Sequence, residues 1–216
     1  MAWDDIPDWS STVADALLQT VKMKDPFTFY HCCRVGRAAR RLAQAAGLNE
    51  YDQHRLEFSG LFHDVGKVGI PDNILLKPGS LTSQEFETMK SHALKSAEII
   101  EPLNHIAFFK SLLPGIRSHH ERIDGRGYPY NLEGDKIPLT ARIITIVDTV
   151  DAMMHTRPYR KGLSFDIVKQ ELQEFSGSQF DAQLVKIYLD AIRFWKADQE
   201  ADKEEMVIGQ ILKKSA

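Results

Sequence analysis

Of the eight histidines in this 216-residue chain, His31, His63, His92, His119 and His120 sit beside helix ends or inside apolar stretches, where an imidazole nitrogen can be held as a ligand. His63 runs directly into Asp64 within Phe62-His63-Asp64-Val65-Gly66-Lys67. An unpaired carboxylate in so apolar a setting carries a heavy desolvation penalty, and a bound metal removes it. Imidazole nitrogens and carboxylates are the ligands a divalent transition metal takes, and a carboxylate can bridge two ions where a single nitrogen cannot. Asp64 is the natural bridge. A lone histidine in a helix is more often a surface or satisfied core residue, so His31 or His92 taken singly says little, and His119-His120 alone is a common surface pair. The joint pattern points to metal. His54, His105 and His155 lack such neighbours and read as ordinary histidines.

The elements that must position these groups are helical. Apolar residues recur at helical spacing in nearly every segment and period-two alternation is missing, which predicts an all-α fold. Val35, Ala38, Ala39, Leu42, Ala43 and Ala46 form a buried stripe that Gly47 ends. A second helix is expected to reach Val65, with Leu56, Ser59, Gly60 and His63 on one side, before Gly66, Gly69 and Pro71 break it. Thr82 and Glu85 have capping-box spacing and open a helix expected to run to about Glu101, followed by one from about Asn104 to His120. Asp124 to Pro138, with Gly125, Gly127, Pro129 and Gly134, reads as a long loop too irregular for the core. After Pro138, Ile143, Ile146, Val147 and Val150 form an apolar stripe, while Asp148, Asp151 and His155 share another face. Helices over about Ser164 to Phe175 and Asp181 to Trp195 follow. The expected layout is an N-terminal helical extension over 1–20, a catalytic domain over 21–196 and a charged C-terminal helix over 197–216. The amphipathic stretches Trp9 to Met23 and Glu200 to Leu212 are candidate homodimer helices.

Composition bounds the function classes. Hydrophobic residues make up 43% and charged residues 26%, as in a globular domain, and a chain of this length buries roughly 70% of its unfolded surface. Twenty-seven Lys and Arg against thirty Asp and Glu leave a net charge of −3, which offers no global attraction to DNA, RNA or a membrane. A phosphate partner must therefore be held by a local cluster, and Arg157, Arg160 and Lys161 supply one. The same cations also suit a helix C-terminus on dipole grounds alone. The two cysteines, Cys32 and Cys33, are adjacent, and a bridge between neighbours is strained, so a reducing cytoplasm and a packing role are expected. No apolar run reaches the roughly 18 residues of a membrane span.

These motifs resemble the HD-GYP domains of the HD phosphohydrolase superfamily. The resemblance is carried by Asp25-Pro26-Phe27-Thr28 with His31 and Arg34-Val35, by His63-Asp64-Val65-Gly66-Lys67-Val68-Gly69-Ile70-Pro71-Asp72, and by His92. It continues through His119-His120-Glu121, Asp124-Gly125-Arg126-Gly127-Tyr128-Pro129, Ala141-Arg142-Ile143 with Asp148 and Asp151, and Arg157-Pro158-Tyr159-Arg160. It covers about Val21 to Ile192. What it implies is a helical bundle with a long signature loop that hydrolyses a cyclic dinucleotide, cyclic di-GMP first, to the linear dinucleotide or to GMP. Cyclic GMP-AMP or another nucleotide is the alternative substrate, and a sensor or scaffold that binds without turnover is the alternative class.

Carried over residue by residue, the resemblance places His31, His63, Asp64 and Asp148 around one metal and Asp64, His92, His119 and His120 around another. Phe27 stands where some members have a Glu that holds a third ion, so two ions are expected. Iron or manganese is favoured over zinc because imidazole-carboxylate sites with open positions suit octahedral ions. No organic cofactor is implied. A water held between two cations gives up a proton near neutral pH and attacks the phosphodiester in line. Lys67 is expected to offset the charge that develops on the phosphate, and Asp25 to orient the first histidine or the attacking water. Arg157 and Arg160 are candidates for the second phosphate or a guanine edge, although many relatives carry Lys where Arg160 stands. In the Gly125 to Pro138 loop, Tyr128 offers its ring to a base, to a signalling-protein partner or to the core.

Overall fold

The computed structural model describes residues 6–155 and 162–195, without the side chains of residues 193 and 194. The fold is all-α. Among the described residues, β pairing is limited to two isolated bridges, Asp124 with Glu133 and Ser176 with Phe180.

α1 (Ser10–Lys24) buries Ala14, Leu18 and Val21 at helical spacing. α2 (Pro26–Ala45) starts on Asp25, whose carboxylate accepts hydrogen bonds from the Phe27 and Thr28 backbone amides at 3.1 and 3.0 Å. Pro26 at the first helical position suits that start, since its missing amide would have no helical partner. α3 (Glu50–Phe62) starts on Asn49, whose side chain accepts from the Asp52 amide at 3.0 Å. α2 and α3 cross where Gly36 meets Gly60; a methyl at Gly60 would stand 2.8 Å from the Gly36 Cα. That contact draws the two histidine-bearing helices together.

Two apolar clusters share these central helices. One joins α1, α2 and α3 to α6 (His92–Ile100) and α7 (Ala107–Ser118), with Leu18, Phe29, Phe62, Ile100, Phe108 and Ile116 among its members. The other joins α2 and α3 to α8 (Leu139–Met154), α9 (Phe165–Glu174) and α10 (Ala182–Trp195) through Val35, Leu42, Leu56, Ile146, Leu172 and Phe180. Each fully buried large apolar side chain contributes about 1.5–3 kcal/mol, so two clusters meeting on α2 and α3 make that pair the rigid centre.

Several expected boundaries move. α1 runs through residues 20 and 21, across the expected boundary, and its stripe lies in the same cluster as Phe29 and Phe62. The apolar face that made Trp9 to Met23 a candidate dimer helix is thus used within the chain. The proposed C-terminal helix, Arg157, Arg160 and Lys161 lie outside the described residues.

α3 stops at Phe62, and a 3-10 segment, Val65–Gly69, replaces the helix expected to continue to Val65. The helix expected from Thr82 to Glu101 is two, α5 (Ser83–Lys90) and α6, after the short α4 (Asp72–Leu75). The break falls at Ser91, whose amide and hydroxyl both reach the Thr88 carbonyl, at 3.2 and 2.6 Å. The capping box of Thr82 and Glu85 forms as read. α7 ends at Ser118, one residue short of His119. In both cases the helix ends where a histidine must turn inward.

Candidate metal centre

Asp64 lies at the junction of α3 and the 3-10 segment, 2% exposed, with its two oxygens facing opposite ways. Oδ2 is 3.4 Å from Nε2 of both His31 and His63, and Oδ1 is 3.1 Å from His92 Nε2. On the first side Asp148 from α8 completes the group, with Oδ1 3.1 Å from His31 Nε2 and 3.9 Å from His63 Nε2. On the second side His119 and His120 stand with Nε2 atoms 3.4 and 3.0 Å from that of His92. The His63 and His119 rings pack edge to face with centroids 4.9 Å apart, so the two groups adjoin. All seven residues carried over as ligands converge.

The backbone presents the rings the right way round. His63, His92 and His119 each donate Nδ1–H to the carbonyl three residues earlier, Gly60, Met89 and Ile116, at 2.7, 2.6 and 2.7 Å. Each proton is thereby committed to Nδ1, and the Nε2 lone pairs point inward. His92 and His119 then face each other at 3.4 Å with no proton to share, an arrangement a cation between them resolves. Asp64 Oδ1 is buried and accepts no hydrogen bond. An orphaned carboxylate oxygen amid inward imidazole nitrogens is a donor set that fits divalent metal.

The electrostatics agree. Burial, reinforced by neighbouring imidazoles, pushes His119 well below the usual range and His120 down to about 3. Burial likewise lowers His63, so these rings are neutral at pH 7, as ligands must be. His31 shifts upward: burial works against its charge, but Asp148, Asp151 and Asp64 outweigh it. Burial opposes ionisation of Asp64 too, and Lys67, His63 and His92 overcome that and hold it well below the usual carboxylate range. Lys67 Nζ lies 2.5 Å from Asp64 Oδ2; its ammonium is favoured by that carboxylate despite burial.

The second carboxylate behind His31 is not Asp25. Both Asp25 oxygens are used at the start of α2, and Oδ2 also takes the Thr28 hydroxyl at 2.6 Å. His31 Nδ1 instead donates to Asp151 Oδ2 at 2.7 Å. Asp151 is held in turn by Arg34 through a two-pronged contact, Nε to Oδ1 at 2.6 Å and a terminal nitrogen to Oδ2 at 2.9 Å. Both residues lie within the motifs, and the face shared by Asp148 and Asp151 was visible in the spacing; the pairing to His31 was not.

Close approach of backbone positions the remaining candidate ligands. A methyl at Gly66 would come within 2.3 Å of the His92 carbonyl and the Ser96 amide, and the Gly66 amide donates to Ser96 Oγ at 2.8 Å, so α6 lies directly on the 3-10 segment. A methyl at Gly127 would meet the Glu121 Cα at 2.4 Å and the His120 carbonyl at 2.6 Å. The loop therefore lies flat on His120-Glu121. Glu121, 1% exposed, secures it by accepting from the Tyr130 and Leu132 amides at 2.7 and 3.0 Å. Contrary to the reading of this loop as wholly outside the core, Gly127 and Ile137 are buried. Tyr128 stacks on His120 with ring centroids 4.7 Å apart and stays partly exposed.

A separate cavity of about 710 Å³ between α9 and α10, lined in part by Phe165, Lys169, Val185 and Leu189, shares no residue with this cluster.

The HD domain family model matches residues 15–184. A cyclic di-GMP phosphodiesterase of Thermotoga maritima is 35% identical over 182 residues, covering 84% of this chain and 49% of the relative. A 3'3'-cGAMP-specific phosphodiesterase of Vibrio cholerae is 34% identical over 186 residues, covering 86% of this chain and 35% of the relative. The HD domain of the L. monocytogenes phosphodiesterase PgpH, solved with cyclic-di-AMP, superposes with a TM-score of 0.59 at 20% identity, covering 89% of this chain and 99% of that one. At that identity the likeness is one of fold. The chain spans a little under half the length of the first curated relatives it matches. Among the described residues no helix is long and apolar enough to cross a membrane.

Proposed function

The chain belongs to the HD domain family, and from that premise we propose that it is a metal-dependent phosphodiesterase that opens a cyclic dinucleotide, cyclic di-GMP in the first instance. The observation that carries the reading is the division of Asp64 between two imidazole groups, 3.4 Å from His31 and His63 on one side and 3.1 Å from His92 on the other. A carboxylate so placed would be shared by two ions, and a donor set of imidazoles and carboxylates would suit iron or manganese. Divalent ions held there would supply the Lewis acidity that draws charge off phosphoryl oxygens and activates water near neutral pH.

The chain's own groups do the rest. The three Nδ1–carbonyl bonds and the Asp151 contact hold the imidazoles in one orientation, so a diester meets a preorganised site. Lys67 brings an ammonium beside the bridging carboxylate, where it can offset negative charge developing on the phosphate. Asp148 and His120 are the least buried of the seven, which puts the approach for substrate on their side, with Tyr128 beside it. Arg157 and Arg160, in a positive cluster with Lys161, are our candidates for the second phosphate or a guanine edge on the strength of their charge and guanidinium geometry.

The test is incubation of protein loaded with iron under anaerobic conditions, or with manganese, with cyclic di-GMP. Linear dinucleotide or GMP on chromatography is expected; intact substrate under both metals rejects the reading. A second substrate, cyclic GMP-AMP, is favoured by relatives of similar identity that are named as specific for 3'3'-cGAMP. Competition between the two dinucleotides ranks them.

A further inference from the structure

We infer that Phe86 and Lys90, on the outer face of α5, form a ledge that stacks and reads a guanine base of the substrate at the mouth of the metal cluster. The inference rests on the cyclic dinucleotide reading above. α5 buries none of its residues and is held by polar contacts. Its start is fixed by the capping box and by Lys77, whose ammonium lies 2.5 Å from Glu85. Its last turn is fixed by the Met89 carbonyl that takes the His92 proton. A helix pinned at both ends in this way holds its side chains at a constant distance from His92.

Phe86 and Lys90 are four residues apart and share that face. Phe86 is 47% exposed. A single exposed aromatic means little by itself. What gives it direction is an unbroken chain of groups leading inward. Lys90 Nζ lies 5.0 Å from the centre of the Phe86 ring and 5.5 Å from that of Tyr128. Tyr128 stacks on His120, and His120 Nε2 is 3.0 Å from His92 Nε2. Glu87, 2.6 Å from Lys90, steadies the ammonium between the two rings.

A cyclic dinucleotide with one phosphodiester at the cluster must extend a base away from it, and a half-exposed aromatic ring with a cation held over it, 5.0 Å from its centre, matches such a base. The ring supplies stacking, which is tolerant of base identity. The ammonium adds selectivity, since guanine shows acceptors at O6 and N7 whereas adenine shows an amino donor at N6.

The experiment compares metal-loaded full chain with Phe86→Leu, Phe86→Trp and Lys90→Gln. It measures binding of a phosphorothioate analogue of cyclic di-GMP by calorimetry, turnover of cyclic di-GMP, and turnover of bis(p-nitrophenyl) phosphate, a diester without a base. Phe86→Leu is expected to weaken analogue binding roughly 5- to 100-fold. The ratio of cyclic di-GMP to bis(p-nitrophenyl) phosphate turnover at low substrate should fall by the same factor, with metal content intact. Phe86→Trp should restore both. Lys90→Gln should weaken cyclic di-GMP more than cyclic di-AMP. Unchanged affinity in Phe86→Leu, or equal loss on both substrates, overturns the ledge. Wild-type protein that binds the analogue without hydrolysing cyclic di-GMP rejects the phosphodiesterase reading while the ledge is still scored by affinity. Wild-type protein that does not bind the analogue overturns the ledge outright.

Discussion

Asp151 Oδ2 sits 2.7 Å from His31 Nδ1, across 120 residues of sequence, while Asp25, six residues before His31, spends its carboxylate on a helix start. Two aspartates that look equally suited to the same task are thus separated by where their oxygens are already committed.

That separation predicts opposite phenotypes. Asp151→Asn keeps the shape but loses the charge that fixes the His31 proton, and a partner of this kind typically costs about 10- to 100-fold in metal affinity or activity. Asp25→Ala removes a helix cap and should cost about 0.5–2 kcal/mol of stability, with metal stoichiometry retained. Metal titration alongside thermal melting tells the two apart; equal metal affinity in Asp151→Asn and wild type would reject the assignment.

Asp64→Ala should empty both halves of the centre together, because its two oxygens face different imidazole groups. Elemental analysis after anaerobic purification should show nearly all bound metal lost. Retention of half would mean that Asp64 serves one ion only.

Gly66 and Gly69 belong to one short motif yet should respond differently to alanine. At Gly66 the methyl meets backbone at 2.3 Å, whereas at Gly69 it meets only the flexible Lys95 side chain at 3.0 Å. Gly66→Ala should cost about 3 kcal/mol or more and displace His92; Gly69→Ala should stay within about 0.5 kcal/mol. Urea unfolding midpoints, with metal content of the folded fraction, provide the check.

Cys32 and Cys33 should be poor nucleophiles in the folded protein. Both are buried in the first apolar cluster, and burial pushes the Cys33 thiol from 9.0 to about 11 and the Cys32 thiol well up. The folded state therefore binds more protons than the unfolded one between pH 9.0 and about 11, and the stability these thiols contribute is lost as pH rises through that window. Alkylation at pH 8 should be slow without denaturant and fast in urea; rapid labelling of native protein would contradict the packing role.

The helical class, and the candidate ligand residues with their order along the chain, were legible in the sequence, since periodicity and the His-Asp and His-His pairs are local. The capping box at Thr82 and the stop at Gly47 formed as read for the same reason: a helix end is decided by hydrogen bonds within a few residues. What only the tertiary structure decided is which carboxylate serves which imidazole, why helices end at Phe62, Lys90 and Ser118 just before ligands, and that α1 completes the core. Those outcomes turn on backbone contacts between distant segments, Gly66 on α6 and Gly127 on His120-Glu121, and on the energy of burying charge. No window of sequence contains both partners of such a contact.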